Sequence, residues 1–283
     1  MELSGKIYIV TGANTGIGKV TATELARRGG RVFLACRSKD KTQPVIDEIV
    51  KEVPGAQVEF LALDLADLAS VRASAQAFLD KKLPLHGLIN NAGLAGSRGL
   101  TKDGFELTFG TNHLGHFLFT TMLLDTLKAS APSRIVNVAS EAHYSAKGID
   151  WELQRKPTKS ITGLDEYAVS KLANVLFTKE LARRLEGTGV TTYALHPGVV
   201  ATDVWRRVPW PFRSVAKVFM KSPADGAKTT LYCATAPELA KESGKFYEDS
   251  KEKRPSKLSD DTALAAELWR RSEEWVTAQA KAA

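Results

Sequence analysis

Thr11-Gly12-Ala13-Asn14-Thr15-Gly16-Ile17-Gly18 is the stretch that decides the fold, because it follows a strand-like apolar run, Lys6 to Val10, and opens a helix-favouring one. Glycines at a turn between a strand and a helix let the backbone approach a pyrophosphate, whose charge then lies at the positive end of the helix. Gly12, Gly16 and Gly18 therefore suggest a dinucleotide site. A flexible glycine-rich turn explains a lone motif equally well, but its place after the first strand of a βαβ unit favours the dinucleotide.

Strand-like and helix-like segments alternate along the rest of the chain. The predicted strands are 6–10, 31–35, 58–62, 85–90, 134–139, 190–195 and 244–248, and the predicted helices are 16–28, 39–53, 68–79, 105–128, 164–185, 222–236 and 262–280. Repeated βαβ units predict an α/β fold, a doubly wound Rossmann-type parallel sheet with helices on both faces. No linker rich in Pro, Gly or Ser divides the sequence, so we predict a single domain over residues 1–283.

Composition narrows the class of protein. The chain has 283 residues, 43% of them hydrophobic, which is ample for one buried core. Cys36 and Cys233 cannot make a disulfide framework, and both lie in apolar runs, so we expect small buried side chains in a reducing compartment. The sequence has neither a signal-peptide pattern nor an apolar run of about 18 residues. We therefore expect a cytoplasmic protein without a transmembrane segment.

The net charge suggests several partners without choosing among them. Thirty-nine basic residues against 32 acidic ones give +7, which suits nucleic acid, an anionic membrane or an anionic ligand. Nucleic-acid binding has only this charge in its favour and no recognised motif. We therefore expect no nucleic-acid partner.

A phenol and an amine stand four residues apart in Tyr167-Ala168-Val169-Ser170-Lys171, inside a predicted helix. Residues i and i+4 lie on one helix face, and a cation beside a phenol can lower the tyrosine pKa from about 10 toward neutrality. Tyr167 would then donate and accept a proton near pH 7. Alone, the pattern also arises by chance as a buried ring and a solvated amine.

The sequence after the second predicted strand, Cys36-Arg37-Ser38-Lys39, lacks the acidic residue usual in NAD-binding proteins. An arginine there suits a 2′-phosphate by charge and by bidentate geometry. We predict NADP as the cofactor, with NADPH preferred over NADH. The competing interpretation is that Arg37 and Lys39 only end a strand and begin a solvated helix.

Polar residues also follow the third and fourth predicted strands, as Asp64 in Leu63-Asp64-Leu65 and as Asn90-Asn91-Ala92-Gly93. Open α/β sheets bind ligands at the carboxyl ends of their strands. From spacing alone, Asp64 as a helix N-cap and Asn91 as a turn residue are equally good interpretations.

Together these residues resemble the short-chain dehydrogenase/reductase family over nearly the whole chain. The motifs that carry the resemblance, in the family's order, are the glycine turn, Asn90 to Gly93, Asn112 in Thr111-Asn112-His113-Leu114-Gly115-His116-Phe117, Ser140, the Tyr167/Lys171 pair and His196-Pro197-Gly198. Residues 112–117, 131–138 and 170–177 look like the retinol dehydrogenase branch. The long separation of Ser140 and Tyr167 (167 − 140 = 27) also resembles the retinol-dehydrogenase and carbonyl-reductase groups.

The resemblance implies a catalytic set. Tyr167 would exchange a proton with the substrate oxygen, while Lys171 would bond the nicotinamide ribose and depress the Tyr167 pKa. Ser140 would stabilise charge developing on that oxygen, and Asn112 would hold a water in the proton relay. Asp64 would contact the adenine, and Thr202 the nicotinamide amide. The residues expected to bind the cofactor are Gly12, Asn14, Thr15, Gly16, Ile17, Gly18, Arg37, Ser38, Asp64, Leu65, Asn91, Ala92, Gly93, Tyr167, Lys171, Pro197, Gly198, Val200 and Thr202.

Four histidines invite catalytic or metal-binding interpretations: His113, His116, His143 and His196. None of them has carboxylate or cysteine neighbours at a ligand-like spacing, so we expect no metal and interpret them as structural. His143 is the exception, as a residue that could border the substrate mouth. Glu141, directly after Ser140, is expected to shape the polarity near the site.

Residues 203–223 correspond to the family's variable substrate lid. Within them, 204–221 mix aromatic and basic residues without an acidic one, which also suits a helix in a membrane interface. We interpret the segment as a lid, with peripheral membrane contact as an added role. The last predicted helix either packs on the domain or forms a homodimer contact, and the sequence leaves both open.

The expected function is NADP(H)-dependent interconversion of an alcohol and an aldehyde or ketone. An apolar carbonyl such as retinal, another lipid aldehyde or a ketosteroid is the expected substrate. The alternative from another class is a binding protein that senses NADP(H) without turnover. The set of Asn112, Ser140, Tyr167 and Lys171 argues against a sensor, which has no need of a proton relay.

Overall fold

The computed structural model describes residues 2–200 and 221–282. Its strands are β1 Ile7–Thr11, β2 Arg31–Cys36, β3 Val58–Ala62, β4 Gly87–Asn90, β5 Ser133–Val138, β6 Val190–His196, β7 Lys245–Glu248 and β8 Lys251–Glu252. In the described residues they form one eight-stranded sheet in the order β3-β2-β1-β4-β5-β6-β7-β8. Strands β1 to β7 run parallel, and β8 pairs antiparallel with β7. The predicted parallel sheet is confirmed, while β8 falls between the predicted strand 244–248 and the predicted helix 262–280, where the sequence predicts no strand.

The helices follow the strands along the chain as the sequence predicts, with one interruption. They are α1 Gly16–Arg27, α2 Lys39–Glu52, α3 Leu68–Leu79, α4 Leu107–Phe109, α5 Gly115–Ala129, α6 Leu164–Arg184, α7 Pro223–Thr235 and α8 Thr262–Ala282. The prediction of one continuous helix over 105–128 is wrong, because a π-helical turn, Gly110–Leu114, separates α4 from α5. Such turns often mark functional sites, and this one contains Asn112.

Alternate residues of the central strands belong to two separate hydrophobic cores. Ile9 and Phe33 pack with α3, α5, α6 and α8, whereas Val10 and Leu34 pack with α1, α2 and α7. Because successive side chains of a strand point to opposite faces, the sheet is covered by helices on both sides. This confirms the doubly wound α/β class.

The order of the strands places a crevice beside β1. This strand pairs with β2 on one side and with β4 on the other, so the connections leave it in opposite directions. Open α/β sheets bind ligands outside the carboxyl ends of the strands at such a switch point. Thr11, Asn90 and the residues that follow them therefore lie at the edge of the sheet where a ligand is expected.

The remaining structural expectations concern burial. Cys36 and Cys233 are free thiols and both are buried, as predicted. The last helix, α8, packs on the domain through Leu268 and Trp269; a homodimer contact stays a prediction. Within 2–200 and 221–282, the structure contains no helix with the length and apolar character that crossing a membrane requires.

Candidate active site

One continuous cavity of about 1170 Å³ lies against the carboxyl ends of the parallel strands. Among the residues expected to bind the cofactor, the cavity is lined by Gly12, Asn14, Thr15, Gly16, Ile17, Gly18, Arg37, Ser38, Asp64, Leu65, Asn91, Ala92, Gly93, Tyr167, Lys171, Pro197, Gly198 and Val200. Thr202 lies outside the described residues, as does most of the predicted lid. The structure thus brings the described part of the expected cofactor set to one cavity.

The glycine turn is pressed against the loop that follows β4. A Cβ at Gly18 would lie 2.5 Å from Asn91 Nδ2 and from the Gly12 carbonyl oxygen, and one at Gly12 would lie 3.0 Å from Ala92. Gly12 also has a φ of +66°, which L side chains rarely adopt. The first turn of α1 carries no acidic residue, so its positive end faces the cavity without a competing carboxylate. This turn fits the pyrophosphate of a dinucleotide.

Three side chains with hydrogen-bonding or positive ends line the cavity near the start of α2: Arg37, Ser38 and Lys41. Ser38 caps the helix, its Oγ accepting a hydrogen bond from the Lys41 backbone N–H at 3.3 Å. The cap places Lys41 on the first helical turn beside the cavity, while Lys39 does not line it. Sequence reasoning missed Lys41, although a basic residue two positions after Lys39 in a first helical turn was a usable signal.

The open interpretations of Asp64 and Asn91 are resolved by their hydrogen bonds. Asp67, not Asp64, caps α3, since its side chain accepts from the N–H groups of Ala69 and Ser70. Asp64 Oδ1 accepts instead from Ala66 N at 3.0 Å. Asn91 Nδ2 donates to the Thr11 carbonyl at 2.8 Å. Asn91 is therefore a residue of the turn after β4 that also ties this turn to β1.

Tyr167, Lys171 and Ser140 meet at the buried end of the cavity. The Ser140 hydroxyl hydrogen-bonds the Tyr167 phenol. Lys171 Nζ donates to the Val138 carbonyl at 2.8 Å and lies 5.6 Å from the centroid of the Tyr167 ring. Tyr167 is 8% exposed and Lys171 is 3% exposed. The two residues share one face of α6, as their spacing predicts.

Burial reverses the expected direction of the Tyr167 pKa. Desolvation raises the pKa of this phenol, and the hydrogen bond from Ser140 offsets that rise only in part. The same burial lowers the pKa of Lys171 to about 7. The expectation that Lys171 depresses the Tyr167 pKa is therefore wrong for the protein groups alone, because a low-dielectric site disfavours both charged forms.

Asn112 lies behind the cavity wall rather than on it. Its Oδ1 accepts from Leu94 N at 2.8 Å, and its Nδ2 donates to the Leu94 carbonyl and to Ser170 Oγ, both at 3.0 Å. The side chain thus joins the loop after β4 to α6. The space beside Gly93 is tight, since a Cβ there would lie 3.4 Å from Asn112 Oδ1 and 3.5 Å from Lys171 Nζ.

His143 does not border the substrate mouth, so that expectation is wrong. Its ring is buried and faces Phe246, with ring centroids 4.9 Å apart, because the 3₁₀ turn Glu141–Ser145 turns it inward. His196 and Glu141 line the cavity instead, and their Nε2 and Oε2 atoms are 3.9 Å apart. No three His, Cys, Asp or Glu side chains gather as a metal site would require, at least within the described part of the chain.

The part of the cavity next to Ser140 is largely apolar. The additional side chains that line this part are Leu94, Ala95, Leu107, Ala142, Tyr144, Leu164 and Val199. They come from five separate stretches of the chain, so no local pattern in the sequence groups them.

The sequence of the chain is similar to a known family and to named relatives. A sequence model of the family described as short chain dehydrogenase matches residues 6–151. Retinol dehydrogenase 12 of Mus musculus is 46% identical over 275 residues, which cover 95% of this chain and 85% of that protein. Retinol dehydrogenase 13 of Homo sapiens is 45% identical over 283 residues, covering 95% of this chain and 84% of that one.

Solved structures show the same fold. An uncharacterized protein from Mycobacterium Paratuberculosis superposes with a TM-score of 0.78 at 34% identity, covering 98% of this chain and 95% of that one. A short chain dehydrogenase from Burkholderia cenocepacia J2315, crystallised in complex with NADP, gives a TM-score of 0.70 at 26% identity, covering 87% of this chain and 96% of that one.

Proposed function

Because the chain belongs to the short-chain dehydrogenase/reductase family, as a retinol dehydrogenase-like oxidoreductase, we propose that it reduces an apolar aldehyde or ketone with NADPH. The observation that carries this proposal is that Ser140, Tyr167 and Lys171 line the same cavity as the glycine turn. One cavity then serves both halves of the reaction, the binding of the dinucleotide and the protonation of the substrate.

The residues proposed to hold the cofactor divide along the cavity. The turn from Gly12 to Gly18 would hold the pyrophosphate, and Asp64 with Leu65 would border the adenine. Arg37 and Lys41 would neutralise a 2′-phosphate, because both are basic and both line the cavity beside the start of α2. When bound, the nicotinamide supplies or accepts the hydride.

In this proposal Tyr167 donates the proton to the substrate. Since burial raises the pKa of its phenol, Tyr167 keeps its proton at neutral pH and can donate it to a carbonyl oxygen. Ser140 would donate a hydrogen bond to the same oxygen as negative charge develops on it. Lys171, whose pKa is lowered by burial to about 7, would bond the nicotinamide ribose. The raised tyrosine pKa keeps Tyr167 in the protonated form that the proposed reduction requires.

The substrate is proposed from the apolar wall beside Ser140 and from the relatives. Leu94, Leu107, Leu164 and Val199 would contact a hydrocarbon, and retinal or a lipid aldehyde fits such a wall better than a charged metabolite does. A ketosteroid is the alternative within the same reaction class.

The ends of segment 203–223 support its proposed role as a lid. Val200 and Lys221 pair as an isolated bridge, and the Lys221 side chain lies against Gly198, where a Cβ would approach it to 2.7 Å. The segment therefore leaves and rejoins the described structure at the cavity. Membrane contact through 204–221, a cytoplasmic location and a homodimer stay predictions.

The test is oxidation of NADPH and of NADH by the purified protein with retinal, nonanal, acetophenone and a ketosteroid. We expect turnover with NADPH, and we expect Arg37→Ala to weaken NADPH binding about tenfold, the loss of a charge-assisted hydrogen bond, without changing NADH binding. Lys39→Ala is the matched control, since Lys39 is a basic neighbour that does not line the cavity. Tight NADPH binding without turnover of any carbonyl would favour the sensor instead.

A further inference from the structure

Two buried histidines have both ring nitrogens engaged beside residues of the proposed site. His116 lies at the start of α5, with Nδ1 3.0 Å from the Asn112 carbonyl oxygen and Nε2 2.9 Å from Thr11 Oγ1. His143 lies in the turn after Ser140, with Nδ1 2.6 Å from the Ser140 carbonyl oxygen. Its Nε2 is 3.1 Å from the backbone nitrogen of Ser256. Neither ring takes part in the chemistry proposed above.

The partners of His116 determine where its proton lies. A carbonyl oxygen only accepts hydrogen bonds, so Nδ1 must carry the hydrogen that points at Asn112. Thr11 Oγ1 already accepts the N–H groups of Asn91 and Ala92, both at 2.9 Å, which uses its two lone pairs. The Thr11 hydroxyl has two acceptors within reach, Nε2 at 2.9 Å and the Ile89 carbonyl oxygen at 3.4 Å. It donates to the nearer one, Nε2, and the ring is neutral.

His143 has the same arrangement with different partners. Its Nδ1 faces the Ser140 carbonyl oxygen and must be protonated. Its Nε2 faces a backbone N–H, that of Ser256, and must be unprotonated. The ring is thus neutral with its hydrogen on Nδ1, as in His116. Each ring links the backbone of a proposed site residue to an element far away in sequence, Asn112 to the end of β1 and Ser140 to the loop after β8.

We propose that His116 and His143 are positioning residues, each of which, as a neutral ring protonated on Nδ1, fixes the backbone of a proposed site residue for the reaction. The proposal rests on the proposed function for the identity of that reaction. His116 holds Asn112, and through Thr11 it also holds the turn at Asn91 and Ala92 against which Gly12 packs. His143 holds Ser140, whose hydroxyl must meet the substrate oxygen and the Tyr167 phenol at once.

The protonation pattern is testable without any substrate. Protein labelled with ¹⁵N in the histidine rings would be studied at neutral pH by long-range ¹H–¹⁵N correlation spectra, in which protonated and unprotonated ring nitrogens differ widely in shift. His116→Asn and His143→Asn assign the two rings by loss of their signals. We expect both rings to be neutral with the hydrogen on Nδ1. A hydrogen on Nε2, or a charged ring, would overturn the proposal for that residue.

The positioning role is tested by two pairs of variants. In His143→Asn and His116→Asn the side-chain amide can replace the Nδ1–H donor, whereas His143→Leu and His116→Leu keep the bulk and lose it. The measurement is a single turnover of enzyme-bound NADPH with whichever of retinal, nonanal, acetophenone and the ketosteroid the wild type reduces fastest. We expect the leucine variants to lower the rate constant about tenfold to a hundredfold, as misplacement of a reacting group does, and the asparagine variants to recover most of it.

A purely structural role gives a different result. Leucine variants that only fold less well would lower the amplitude of the single turnover, in step with the active fraction, and leave its rate constant at the wild-type value. That outcome would overturn the positioning role.

Thr11→Val should weaken NADPH binding along with His116→Leu, and Thr11→Ser should not, because only serine keeps the hydroxyl. Wild-type protein without carbonyl turnover contradicts the proposed function, whereas the ring protonation and the Thr11 pair still decide the hydrogen bonds inferred here.

Discussion

The two ends of the cavity are built in opposite ways. The glycine turn at one end is a run of consecutive residues, 11–18, that offers backbone to a ligand. The side chains at the other end come from separate elements. Asn112 lies in the π-helical turn, Ser140 precedes the 3₁₀ turn that follows β5, and Tyr167 lies in α6. The first end depends on the absence of side chains, and the second depends on side chains whose partners lie far away in sequence.

This difference in construction produces a difference in electrostatics. Arg37 at the cofactor end is exposed, so water solvates its charge. Tyr167 and Lys171 are buried, and burial moves the pKa of each toward its uncharged form. Charge is therefore available for binding at the exposed end of the cavity. At the buried end, the uncharged forms of Tyr167 and Lys171 are favoured.

Tyr167→Phe is expected to have the largest effect and to separate the two ends completely. Phenylalanine keeps the ring but removes the phenol hydroxyl that lies beside Ser140. Turnover should fall by about a thousandfold, the size of a lost general acid, while the dissociation constant for NADPH changes by less than about twofold. Steady-state rates and fluorescence titration with NADPH measure the two quantities. Retained turnover would mean that another group protonates the substrate.

Acid should destabilise the buried side of the site first. Burial lowers the pKa of His116 to about 4 and that of His113 to about 3. A histidine with a lowered pKa contributes stability that is present above its unfolded value of about 6.5 and lost as pH falls toward the folded value. Near pH 5 we expect His113 and His116 each to lower the free energy of unfolding by about 2 kcal/mol.

Urea denaturation between about pH 7 and pH 5, above the usual range of carboxyl groups, measures this loss. His113→Leu provides the control, since it should remove one proton from the pH dependence whatever it does to the stability at pH 7. An unfolding free energy that stays flat over this interval would show that the histidines take up protons as readily in the folded protein as in the unfolded one.

Gly18→Ala is expected to have the smallest effect and to act on the cofactor end alone. The added Cβ would meet Asn91 Nδ2 and the Gly12 carbonyl oxygen at 2.5 Å, so the turn must shift at a cost of about 1–3 kcal/mol in overpacking. NADPH affinity should fall, while the single-turnover rate of bound NADPH stays near that of the wild type. Gly55→Asn, at a turn with φ +83° and open space around it, should leave the affinity unchanged; loss of affinity there would point to general destabilisation.

The local features of the fold and of the site follow from the sequence alone. Apolar periodicity placed the strands and helices, the glycines marked the turn after β1, and the spacing of Tyr167 and Lys171 put both on one face of α6. Arg37, in place of the usual acidic residue after β2, predicts a site for a 2′-phosphate, and the structure brings Arg37 to the wall of the cavity. These succeed because strand alternation, helix faces and glycine turns depend on neighbours within a few residues.

Only the tertiary structure decided the features that depend on long-range contacts. Desolvation reversed the expected pKa shift of Tyr167, because burial is set by the whole fold and not by Lys171 four residues away. The π-helical turn broke a continuous helical pattern, and His143 turned inward to meet Ser256, 113 residues further along the chain. Distant residues decide which nitrogen of a histidine ring carries the proton and which side chains line the cavity. No local sequence pattern specifies those partners.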